Sequence, residues 1–86
     1  MKVEISEELE NVLIKLSRMD SGLFRAVQKK INQIAVLDEC EIEHFKNLRG
    51  ELSDHKRVHV GSFVLFFKLD GDYIIFDRLE HHDKAY

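Results

Sequence analysis

Residues 56–79 read Lys56-Arg57-Val58-His59-Val60-Gly61-Ser62-Phe63-Val64-Leu65-Phe66-Phe67-Lys68-Leu69-Asp70-Gly71-Asp72-Tyr73-Ile74-Ile75-Phe76-Asp77-Arg78-Leu79, and this stretch decides the fold. Its period is two. Val58 and Val60 alternate with Arg57 and His59, so the two pairs leave a strand on opposite sides. Gly61-Ser62 marks a turn, and residues 63–69 follow as a nearly continuous apolar strand. Asp70-Gly71 is a two-residue hairpin signal, because a type I′ turn needs positive φ at both central positions. Residues 73–79 then return. With that loop Leu69 faces Asp72, Phe67 faces Ile74 and Leu65 faces Phe76. One sheet face therefore carries Phe63, Leu65, Phe67, Ile74 and Phe76, and the other carries Val64, Phe66, Tyr73 and Ile75.

Upstream the period lengthens. Val3 and Ile5 alternate with polar neighbours in a short first strand. Ser6 is placed to cap a helix whose first turn holds Glu7 and Glu8, favourable at the positive end of the helix dipole. Leu9, Val12, Leu13 and Leu16 follow at helical spacing. Asp20-Ser21-Gly22 interrupts them and offers the next cap. Leu23, Phe24, Val27, Ile31, Ile34 and Ala35 carry a second apolar stripe to about Leu37, so the two helices form an antiparallel hairpin. Residues 38–52 are weakly patterned and read as a connection with room for a short strand. The expected order is β-α-α-β-β-β, an α+β fold with the helix hairpin on one face of a four-stranded, mainly antiparallel sheet. The second face, apolar at its centre with cations at one edge, has few elements left to cover it, which points to a binding partner.

Length and composition bound the rest. The chain has 86 residues, 13 basic and 16 acidic, with a net charge of −3. That supports one domain over 1–86 with a single core. No apolar run reaches the roughly 20 residues of a membrane span, and no signal peptide opens the chain. The single cysteine, Cys40, fits a reducing, cytoplasmic setting. It lies among Asp38, Glu39 and Glu41, which disfavours a nucleophilic thiolate and suggests a small buried or half-buried side chain. The pI of about 5.9 argues at first against a nucleic-acid partner. Charge is partitioned, however. Residues 1–43 carry six basic and nine acidic groups, residues 44–69 five and two, and residues 70–86 two and five. The cationic middle, which also holds His44, His55 and His59, can be a local anion site or simply a solvated strand face.

These residues also carry a resemblance. Leu48-Arg49-Gly50-Glu51-Leu52, followed by the strand-turn-strand from Lys56 to Phe63, resembles the L-x-G-x-L and aromatic-R-I-R-V-G-D-Y-R patterns of the RelE/ParE toxin superfamily. The segment from Phe76 to Tyr86 is similar to the family's ending I-x-R-I-G-H-R-x-x-V-Y. Each fragment is weak alone, and the joint spacing across nearly the whole chain gives it weight.

The resemblance implies the toxin of a type II toxin–antitoxin pair, neutralised by a RelB-like antitoxin and acting on mRNA in the ribosome without cofactor or metal. In the RelE branch a ribose 2′-OH attacks the adjacent phosphate, which needs a base, cations and an acid. By position Arg57 matches the first cation of the strand motif, and His59 stands at the second. Arg78 and His81 match the ending, His82 replaces an arginine, and Tyr86 matches the terminal tyrosine that can stack on a base or assist proton transfer. Strict alternation would put Arg78 on the helix side, so its role requires a bulge or an early strand end. Lys46, Arg49 and Lys56 are candidates for RNA backbone contacts. Val64 stands where the family places a transition-state arginine, which implies an attenuated nuclease that Val64→Arg should speed. The alternatives are a RelE-fold protein that only binds an antitoxin-like partner, and a ParE-like gyrase inhibitor. His55, His59, His81 and His82 match no metal-ligand spacing.

Overall fold

The computed structural model describes residues 2–43 and 55–85. In chain order these form β1 (Lys2–Ile5), α1 (Glu7–Met19), α2 (Ser21–Ala35), α3 (Glu39–Glu43), β2 (Lys56–Val60), β3 (Phe63–Asp70), β4 (Tyr73–His81) and α4 (His82–Ala85). The helices pack on a four-stranded mixed sheet of order β1-β4-β3-β2. β2–β3 and β3–β4 are antiparallel, and β1 joins β4 in parallel. The α+β architecture is the one the periodicities predict. No described helix is long and apolar enough to cross a membrane.

Local chemistry sets the helix boundaries. Ser6 stays extended, with φ −63° and ψ 156°, and its hydroxyl accepts from Leu9 N–H at 3.1 Å, as an N-cap should. Asp20 ends α1 and starts α2, its Oδ1 accepting from Leu23 N–H at 3.1 Å. The core lies between the helix hairpin and one sheet face. Leu9, Val27, Ile31 and Ile34 from the helices meet Leu65, Phe67, Ile74 and Phe76 from the sheet, all buried. Each such side chain contributes roughly 1.5–3 kcal/mol of burial free energy.

Four expectations are corrected. First, the β3–β4 hairpin turns at Gly71-Asp72, with Asp70 opposite Tyr73 and Phe67 opposite Phe76. Only Gly71 has positive φ there (62°), which suits a type II′ turn better than a type I′ turn. The register moves by two residues, and the side chains from Phe63 to Phe76 keep their faces. Second, residues 39–43 form a helical turn, not a loose connection. Asp38 and Glu41 cap it reciprocally, Glu41 N–H donating to Asp38 Oδ1 at 2.8 Å and Asp38 N–H to Glu41 Oε1 at 3.2 Å. Ile42 anchors it in the core. Third, Cys40 is exposed, because the turn aims Ile42 inward instead. Fourth, the sheet face away from the helix hairpin is uncovered only in part: Val64 and Phe66 are fully buried within the chain, while Tyr73 is exposed.

Candidate functional site

Register builds the site. β2 pairs with β3 so that Arg57 lies opposite Phe66 and His59 opposite Val64. On the other side of β3, Arg78 lies opposite Phe66 and Glu80 opposite Val64. The face away from the helix hairpin therefore carries two cross-strand rows, Arg57–Phe66–Arg78 and His59–Val64–Glu80. Strands two apart are separated by about 10 Å, so each row holds its polar ends apart across an apolar middle.

A bulge delivers Arg78 to this face. Phe67 pairs with Phe76 and Phe66 with Arg78, leaving Asp77 as the extra residue. The alternation that would have sent Arg78 towards the helices is broken at that point. Its guanidinium carbon sits 5.0 Å from the centroid of the Phe66 ring, a cation–π contact that covers the phenyl group. Arg78 Nη1 lies 3.4 Å from Glu80 Oε1, and both side chains are about 30% exposed (28% and 32%). Arg78 Nε is buried with no hydrogen-bond partner among the described residues. Asp77 Oδ2 lies 3.2 Å from His55 Nε2.

The histidines separate into two groups. His82 begins α4, its N–H donating to Ser62 C=O at 2.8 Å, and this brings its ring within 5.6 Å of His59. His81 pairs with Phe63 and stacks edge-on against it at 5.2 Å, on the helix side of the sheet, so it does not join His59. Asp83 Oδ1 and Oδ2 lie 3.9 Å from His82 Nδ1 and 3.7 Å from His81 Nδ1. His59 is exposed on the edge strand and also borders a groove against α2 lined by Lys29, Lys30 and Gln33.

Of the residues singled out by the sequence, the structure gathers Arg57, His59, Arg78 and His82 on one face. Lys56 is placed otherwise: it lies opposite Phe67 on the helix side and is only 5% exposed. Lys46, Arg49 and Tyr86 lie outside the described residues. Sequence reasoning missed Glu80, Asp77 and His55 as members of the face. The Glu80 signal was present, since the family's ending has glycine there. The His55–Asp77 contact had no local signature, because it joins residues 22 apart through the bulge.

Two arginines and two imidazoles thus share the sheet face away from the helix hairpin, around a buried apolar centre. Comparison with known proteins gives the chain a family. The chain is 40% identical over 88 residues to a protein of Methanocaldococcus jannaschii named "Putative toxin RelE4", spanning 99% of this chain and 89% of that one. It belongs to the RelE family of toxins. Among solved structures, YafQ of E. coli superposes with a TM-score of 0.72 at 15% identity, covering 99% of this chain and 97% of that one. The toxin–antitoxin complex RelBE2 of Mycobacterium tuberculosis gives 0.70 at 21% identity, covering 93% and 95%. These two show the shared fold. No family model matches the chain.

Proposed function

We propose that the chain is the toxin of a type II toxin–antitoxin pair and cuts mRNA on the ribosome. The observation that carries this reading is the approach of His59 and His82 to 5.6 Å on the face that also holds Arg57 and Arg78. Imidazole is the side chain best suited to both accept and donate a proton near neutrality. One of the pair, neutral, takes the proton of a ribose 2′-OH. The freed oxygen attacks the adjacent phosphorus, the bond to O5′ breaks, and the other ring, protonated, gives its proton to O5′. The products are a 2′,3′-cyclic phosphate and a 5′-hydroxyl. Arg57 and Arg78 offset the charge that grows on the phosphoryl oxygens. Tyr86, matched by the family's ending, is assigned to substrate contact, and His81, turned to the helix side of the sheet against Phe63, takes no part in this proton transfer. Lys46 and Arg49 supply backbone contacts.

Activity is attenuated in this reading. Val64 supplies no cation at the centre of the face, and Glu80 partly neutralises Arg78. The partner is an antitoxin, in keeping with the toxin–antitoxin complexes that share the fold. Induced expression without that partner is the test. Growth should arrest, with cuts only in messages under translation, and His59→Ala or His82→Ala should lower cleavage by about 10²-fold or more. Intact messages in arrested cells would overturn the reading. Chromosomal breaks would indicate gyrase poisoning, and absence of toxicity with stable antitoxin binding would indicate a binding module.

A further inference from the structure

Arg78 reaches the candidate site only because β4 carries one extra residue, and that residue is held at both its carbonyl and its carboxylate. Asp77 is the bulge. The Ser6 hydroxyl donates to the Asp77 carbonyl, which the bulge takes out of the regular ladder. Ser6 N–H donates to the Phe76 carbonyl at 2.9 Å, fixing the residue before it. On the side-chain side, the His55 imidazole donates from Nε2 to Asp77 Oδ2 at 3.2 Å. His55 immediately precedes β2, so this bond spans the sheet from the β2 end to β4 over the intervening β3. It is 8% exposed, whereas His59, four residues on, is open to solvent.

We infer that Ser6, Asp77 and His55 form a positioning clasp that fixes the bulge and thereby aims Arg78 across Phe66. A part-buried polar bond of this kind adds little to stability once its desolvation is counted, and apolar partners would serve a purely structural role as well. It does specify geometry. Its three members belong to the β1–α1 junction, β4 and the β2 entry, so they tie the bulge to elements on both sides of β4. Displacing Arg78 by about 1 Å would matter to the reaction proposed above, because misplacing a catalytic group by that distance can cost about 10²-fold.

The inference rests on the proposed nuclease for its kinetic consequence, and its structural consequence can be read without activity. Nuclear Overhauser contacts between the Arg78 side chain and the Phe66 ring should be clear in the wild-type chain and lost in His55→Phe, with the fold retained. Asp77→Ala is read in the same way if His55→Phe does not fold. Asp77→Asn keeps an oxygen acceptor for the ring N–H and should preserve the contacts. In ribosome-dependent cleavage, His55→Phe should lower kcat roughly 10- to 100-fold with KM within about twofold, whereas Asp77→Asn, with His55 in place, should keep most of the wild-type rate. In an Arg78→Ala background His55→Phe should add nothing. Arg78–Phe66 contacts that persist without the clasp would overturn the inference, as would a His55→Phe effect that simply adds to Arg78→Ala. A wild-type chain without nuclease activity would count against the proposed function, and the magnetic-resonance contacts would still decide the clasp.

Discussion

Arg78 divides its charge between a phenyl ring and a carboxylate. Glu80 contacts one terminal nitrogen at 3.4 Å, while Nε stays buried without a protein acceptor among the described residues. A phosphodiester can take two guanidinium N–H groups at once, so it is a better partner than this single-point ion pair. Glu80 must still be displaced first. Half-exposed pairs of this kind are worth up to about 1 kcal/mol, so Glu80→Gln should raise cleavage at low substrate by up to about fivefold, at unchanged thermal stability. A rate that stays the same or falls would show that Glu80 does not compete for Arg78. Val64 leads to the opposite kind of outcome. The sequence suggests Val64→Arg as a repair of the missing cation, but Val64 is fully buried between His59 and Glu80. A guanidinium there has to be desolvated, so denaturant titration should show a loss of at least ~2 kcal/mol, whatever happens to the rate.

Elements were legible where a periodic pattern runs for a turn or more, and obscure where one residue breaks it. The α1 and α2 stripes and the alternation in β2 gave the layers, the sheet faces and the placement of Arg57 and His59. The hairpin loop was misread because Asp70-Gly71 and Gly71-Asp72 are both acceptable two-residue turns, and side-chain faces cannot distinguish registers two residues apart. The turn at residues 39–43 was readable from Asp38-x-x-Glu41, a capping signature that its acidic surroundings disguised. A bulge or an early strand end before Arg78 was foreseeable from the resemblance, but its place at Asp77 was not, since its anchors come from Ser6 and His55, far away in sequence. Ser6 ties these levels together: its hydroxyl accepts from Leu9 N–H and donates to the Asp77 carbonyl, whereas the Asp20 side chain serves α2 alone. Removing a cap costs about 1 kcal/mol, and leaving a part-buried carbonyl unpaired adds about 1 kcal/mol more. Ser6→Ala should therefore destabilise the chain roughly twice as much as Asp20→Ala in urea unfolding. Equal losses would mean that water replaces Ser6 at the bulge.

For the whole molecule, the question is how an acidic chain would approach RNA. The net charge of −3 gives no long-range attraction, so association on the proposed reading depends on local contacts. Charge is arranged for this: the described face concentrates Arg57 and Arg78, while the acidic excess lies in residues 1–43 and 70–86, three charges in each. Counterion release turns the arrangement into a measurable slope. Each phosphate contact to single-stranded RNA contributes about −0.7 to the dependence of log K on log salt concentration. Two arginine contacts give about −1.4, and Lys46 and Arg49, if both engage the backbone, bring it to about −2.8. Binding of a non-cleavable, 2′-deoxy-substituted message to programmed ribosomes, measured across salt concentrations, should fall in this range. Arg57→Ala should flatten the slope by about 0.7. A slope unchanged by Arg57→Ala would remove that residue from the phosphate-binding face. A much steeper slope would mean that cations elsewhere, such as Lys29 and Lys30 beside the His59 groove, carry the RNA instead.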